Sequence, residues 1–97
     1  LIPATGVYAA RVNVQGAGYN AMLNIGFRPT VSQQADSRTI EVHLFDFSGD
    51  LYQLAIEVQM LERIRNEQKF DSLEHLKQQL RTDEQTVRAY FENQASF

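Results

Sequence analysis

The feature that most constrains this chain is a change of hydrophobic period near Phe70. Before it, apolar residues recur at every second position: Tyr8, Ala10, Val12 and Val14 in "GVYAARVNV", and Leu54, Ile56, Val58 and Met60 in "LYQLAIEVQML". A period of two belongs to strands with one buried face. After Phe70, Leu73, Leu76 and Leu80 fall at helical spacing, and Val87, Tyr90 and Phe91 form an apolar stripe expected to lie against the sheet. Successive strands followed by one helix predict a mainly β fold: a small barrel or strongly bent antiparallel sheet with the helix packed at one side.

The punctuation agrees. "QGAG" supplies a tight turn, so "GVYAARVNV" and "YNAMLNIG" read as a hairpin. "FRPTVSQQADSRT", with Pro29 and then small polar residues, reads as a long connection, and "FSGD" turns the chain back. Asp71, with Glu74 three residues on, is the expected helix cap; Thr82 with Gln85 offers a second cap, where the helix either continues or restarts. Strands are expected over about residues 6–62 and helix over about 71–94, within a single domain 1–97.

Several functions are disfavoured. Without cysteine there is no disulfide, thiolate zinc site or cysteine nucleophile, which fits a reducing cytoplasm. A net charge of −3 speaks against nucleic acid as the main partner. No apolar run approaches the roughly 18 residues of a membrane span. Neither common phosphate-cradling glycine motif is present, and His43 and His75 lack zinc-ligand spacing, so no metal site is expected from these residues.

What remains is "TIEVHLFDF". On a strand, Glu41, His43, Phe45 and Phe47 would share one face, and Ile40, Val42, Leu44 and Asp46 the other. A carboxylate fixed on a strand can take the proton of a hydroxyl whose oxygen attacks an electrophile. A glutamate on an outer strand face is also ordinarily just solvated, and the residues alone leave both readings open. Arg65, Glu67 and Lys69 in "IRNEQKF" read as a solvated loop between strand and helix.

Four ordered blocks, "GVYAA", "NIGFRPT", "EVHLFDFSGDLY" and "IRNEQKFDSLEHLKQQL", resemble the riboflavin kinase domain that forms the C-terminal part of bacterial bifunctional riboflavin kinase/FAD synthetase. The resemblance runs from about Pro3 to Phe91. It implies a six-stranded antiparallel Greek-key barrel with a C-terminal helix, transferring the γ-phosphate of ATP to the 5′-hydroxyl of riboflavin with Mg²⁺ to give FMN. It implies Glu41 as the catalytic base, Leu44, Asp46 and Tyr52 as nucleotide contacts, and Arg65, Gln68 and Phe70 as flavin contacts. The partners it implies are riboflavin/FMN, ATP/ADP and an N-terminal FMN adenylyltransferase domain, with neither nucleic acid nor membrane.

The chain departs from the family pattern in three respects. The family's upstream glycine-containing loop and Pro-Thr-Ala-Asn motif, whose Thr and Asn serve Mg²⁺ and the phosphates, would precede Leu1; the pair Pro29-Thr30 belongs to a separate block. The chain is therefore expected to be a fragment with its N-terminal part missing, its Mg²⁺ ligands upstream and no kinase activity alone. Gln68 stands where Lys is common, and Gln53 where Gly is common. The adenylyltransferase domain is also missing, so nothing in this chain is expected to make FAD. The alternative expectation is a flavin-binding or structural barrel without turnover.

Overall fold

The structure, a computed structural model, describes residues 3–27, 38–51 and 54–95. Strands β1 (Gly6–Val14), β2 (Ala17–Phe27), β3 (Arg38–Leu44) and β4 (Ile56–Arg65) precede one helix, α1 (Leu73–Ala95). All pairings are antiparallel and the spatial order is β3-β2-β1-β4, so the fourth strand returns beside the first in Greek-key order. Among the described residues the sheet has four strands and two open edges, against the closed six-stranded barrel that the resemblance implies. The connection through Pro29 and positions Tyr52 and Gln53 lie outside the described residues.

The first hairpin forms as its sequence dictates. Gln15 (φ 51°) and Gly16 (φ 88°) both adopt the left-handed region that a two-residue turn requires, and the Gly16 amide donates to Asn13 Oδ1 at 2.9 Å. From there β1 and β2 pair without interruption from Val14↔Ala17 to Gly6↔Ile25. Tyr8, Ala10, Val12 and Val14 then meet Ala21, Leu23 and Ile25 in a buried inner-face cluster, with Val42, Leu44 and Met60 packed against it. Full burial of side chains such as Ile25 and Val12 contributes about 1.5–3 kcal/mol each.

The outer face carries α1. Ala9, Phe45 and Val87 form its buried centre, with Met22, Ile64, Tyr90 and Phe91 around them. Ala9 is small enough to let the helix approach the strand closely. The helical stripe expected at Val87, Tyr90 and Phe91 is therefore the one that packs. Nearer the start of the helix, Leu73 is 65% exposed and Leu80 36%.

Local geometry decides five points that the sequence left open or set differently. Strand β4 begins at Ile56 and runs to Arg65, which places Arg65 on a strand rather than in a loop. Its register against β1 skips Leu61 and Ile64, two bulges that shift the alternation and turn Ile64 toward the helix side. Phe45 and Phe47 do not share a face: the chain leaves β3 at Leu44, Asp46 adopts φ 60°, and Phe47 packs edge-on to Tyr19 at 5.1 Å in the inner cluster. The helix cap is Ser72 rather than Asp71, with Ser72 Oγ accepting the His75 amide at 3.2 Å. The helix also passes unbroken through Thr82, whose hydroxyl donates to the Gln78 carbonyl at 3.2 Å instead of starting a new cap.

Gly6 is required twice over. Its φ is 146°, and an added Cβ would lie 2.5 Å from the Arg65 carbonyl oxygen and 2.9 Å from Arg63 Nε. Gly6→Ala is expected to lower the unfolding free energy by about 2–3 kcal/mol, read as a lower urea midpoint at unchanged m-value.

Candidate functional site

The β2–β3 register sets Asn24 opposite Glu41 and Met22 opposite His43, all on the outer face, while Val42 and Leu44 pack inward. Helix α1 crosses beside this surface. Between them lies a cleft of about 430 Å³ lined by Val7, Met22, Asn24, Glu41, Val42 and His43 from the sheet and by Leu80, Arg81 and Glu84 from the helix. Glu41 is exposed to the cleft, and among the described residues its carboxylate makes no hydrogen bond or ion pair. The His43 ring packs edge-on to Phe45, with centroids 5.6 Å apart. The cleft thus presents a free carboxylate, an amide and a guanidinium over an apolar floor, groups suited to a ligand that carries hydroxyls and phosphate.

The expected nucleotide contacts fall in different surroundings. Leu44 is half-buried in the inner cluster. Asp46 is on the helix side, mostly exposed, with its two carboxylate oxygens each 3.4 Å from a terminal nitrogen of Arg88. Arg88 also donates to Glu84 Oε2 at 3.0 Å and lies 4.4 Å over the Phe45 ring centre. Hydrogen bonds to Asp46 and then Glu84 hold its guanidinium pKa above the usual arginine value. Tyr52 lies outside the described residues.

The expected flavin contacts are closer together. At the end of β4, Arg65 Nε and Nη2 donate to the two oxygens of Asp83 at 2.8 and 2.7 Å, and Nη1 donates to the Asn66 carbonyl at 2.9 Å. Gln79 Nε2 adds a third donor to Asp83 at 2.9 Å, and the Arg65 guanidinium sits 6.0 Å from the Phe70 ring centre. The loop 66–70 is also tied to β2, because Glu67 Oε1 accepts the Phe27 amide at 3.2 Å. Gly26 makes room for that contact; a Cβ there would lie 2.7 Å from the same oxygen. Gln68 and Phe70 then line a second, polar cleft of about 470 Å³ with His75, Gln78, Gln79 and Thr82 of α1.

One helical segment, Gln78 to Glu84, therefore walls both clefts, with Glu41 in one and the loop in the other. Sequence reasoning missed Asp83, the one charged side chain fully buried among the described residues. A signal was available: Gln79, Asp83 and Val87 are spaced by four, which puts an acid on the stripe that packs inward. Glu67→Ala is expected to speed hydrogen exchange of the Phe27 amide about fivefold, with the Val12 and Leu23 amides unchanged, as read by NMR.

Comparison with known proteins places this geometry in a family context. Residues 1–91 match the family described as Flavokinase: Riboflavin kinase. The chain is 40% identical over 94 residues to the bifunctional riboflavin kinase/FMN adenylyltransferase of Bacillus subtilis, covering 96% of this chain and 30% of that protein. It is also 40% identical over 87 residues to the RNA-binding riboflavin kinase RibR of the same organism, covering 90% and 37% respectively. A crystal structure described as the macrolide-efflux protein from Streptococcus pneumoniae superposes with a TM-score of 0.75 at 39% identity, over 91% of this chain and 28% of that one. That description concerns the S. pneumoniae protein; among the described residues here, no helix is long and apolar enough to cross a membrane. The chain spans about a third of the length of these relatives.

Proposed function

Since the chain belongs to the riboflavin kinase family, we propose that it transfers the γ-phosphate of ATP to the 5′-hydroxyl of riboflavin, giving FMN and ADP, with Glu41 as the general base. The observation that carries this reading is the unpartnered Glu41 carboxylate, held on a strand and facing a cleft. A primary alcohol is a poor nucleophile. In the proposed step its oxygen attacks the γ-phosphorus, the bond from phosphorus to the ADP oxygen breaks, and Glu41 takes the hydroxyl proton and later releases it to water. The strand holds the carboxylate still, so positioning supplies much of the rate.

For the flavin, the proposal uses the loop cleft. The Phe70 ring and the flat face of Arg65 suit a planar, electron-poor ring, and the Gln68 amide suits its polar edge. The nucleotide is proposed to run past Leu44, Asp46 and Tyr52, with Asp46 exchanging its contact to Arg88 for one to the ligand. Among the described residues no three His, Asp or Glu side chains converge; Mg²⁺, which one or two carboxylates and the substrate phosphates suffice to hold, would neutralise charge on the transferring phosphate, and no step is routed through it.

The whole domain is proposed to be the six-stranded barrel. Apolar inner-face residues lie exposed on both edge strands, Ile40 at 55% on β3 and Ile56 and Val58 on β4, and further strands at those edges would cover them. The two B. subtilis relatives differ in what their names attach to the kinase and agree on riboflavin kinase itself, which is the part this chain matches. We take an FMN adenylyltransferase domain as the accompanying part, and the cytoplasm, suited to a cysteine-free ATP-using domain, as its location.

In the full-length protein, Glu41→Gln is expected to lower kcat at least about a hundredfold while riboflavin and ATP affinities stay within about twofold, because the base acts in the transition state. Steady-state kinetics and calorimetry measure the two sides. Near-normal turnover would remove Glu41 from the role, and flavin binding without turnover in the unmutated protein would favour a non-catalytic barrel.

A further inference from the structure

We propose that Asp83 is a positioning residue for the flavin: it fixes the guanidinium of Arg65, and through it the loop 66–70, in the geometry that meets the ring. The inference rests on the reading of Arg65 as a flavin contact. It starts from a buried charge that the proposed chemistry does not use. Asp83 is 2% exposed and receives Arg65 Nε, Arg65 Nη2 and Gln79 Nε2 within 2.9 Å. If stability were all that mattered, apolar side chains of similar volume would serve as well, since desolvating two charges offsets most of their attraction. What a two-pronged ion pair adds is orientation, because the carboxylate plane sets the guanidinium plane.

The remaining valences of Arg65 point the same way. Of its five N–H groups, two go to Asp83 and one to the Asn66 carbonyl, which leaves two for a ligand. Arg65 is 20% exposed and is not itself among the residues that line the loop cleft, but its guanidinium stands 6.0 Å from the ring centre of Phe70, which is. The free hydrogens are donors matched to carbonyl acceptors on a flavin's polar edge. Gln79, which braces Asp83, also lines that cleft, so the support and the site share a wall.

The test compares Arg65→Lys, Asp83→Asn and the double variant in the full-length protein, with riboflavin affinity by fluorescence quenching, ATP affinity by calorimetry and melting temperature. Asp83→Asn is expected to weaken riboflavin binding about tenfold and ATP binding less than twofold. Because Asp83 acts through Arg65, the double variant should bind riboflavin about as weakly as the worse single one rather than showing the product of the two losses. Gln79→Met keeps the ion pair and guards against Asp83→Asn failing to fold; it should weaken riboflavin binding about threefold without changing ATP affinity. Equal losses for both ligands, or a lower melting temperature with unchanged riboflavin affinity, would reduce Asp83 to a structural residue and overturn the proposal. A loss with Asp83→Asn but none with Arg65→Lys would overturn the route through Arg65 while leaving the kinase reading standing. Failure of the unmutated protein to bind riboflavin would instead bring down the kinase reading itself.

Discussion

Everything functional in this fold depends on how α1 is seated on the outer face of the sheet. The seat is small: Val87 presses on Ala9 and Phe45, and the helix is then braced on two sides by charge. On one side Arg88 spans Asp46, Glu84 and the face of Phe45, an exposed arrangement that sets direction more than strength. On the other, Asp83 grips Arg65 from a buried position, where losing one partner costs about 3–5 kcal/mol. The helix can neither roll nor slide without breaking one brace. Both clefts take one wall from it, so their shapes are set by the same contacts.

Much of this was legible because the deciding forces are local. A two-residue turn at Gln15-Gly16 forces the first hairpin, and the change from period two to helical spacing separates sheet from helix. The resemblance of four short blocks placed the chain in its family, which composition and periodicity could not do. What escaped depends on single residues that interrupt a pattern. Leu61 and Ile64 look like ordinary members of an alternating strand, yet the register passes over both. Asp46 adopts a left-handed φ and so sends Phe45 and Phe47 to opposite faces, although alternation predicts one. Ser72 and Asp71 are both good caps, and only the direction of the last loop residues decides between them. Arg65 and Asp83 are 18 positions apart, and nothing in either neighbourhood announces the other.

The block glycines acquire physical reasons once the strands are in place. Gly6 lies against the Arg65 carbonyl and Gly26 lies against the Glu67 carboxylate, so "GVYAA", "NIGF" and "IRNEQKF" meet at one junction, the base of the loop. A side chain at either glycine would push on the segment that carries the expected flavin contacts. Blocks that are far apart in sequence are thus one structural unit, with two glycines acting as clearance for a loop anchored by Arg65 and Glu67.

The remaining block, "EVHLFDFSGDLY", is tied to that junction by the β2–β3 register. Gly26 pairs with Thr39, Ile25 with Ile40, Asn24 with Glu41 and Leu23 with Val42. Side chains alternate, so a slip of one residue between β2 and β3 would carry Glu41 to the inner face and Val42 to the outer one. Such a slip would bury a carboxylate against Leu23 and Ile25 and expose the apolar residues that now pack with them. The orientation of Glu41 is therefore enforced from behind, by the packing of Val42 against Leu23 and Ile25. A mutation in the inner cluster that loosens the β2–β3 register would act on the proposed chemistry as directly as one at Glu41.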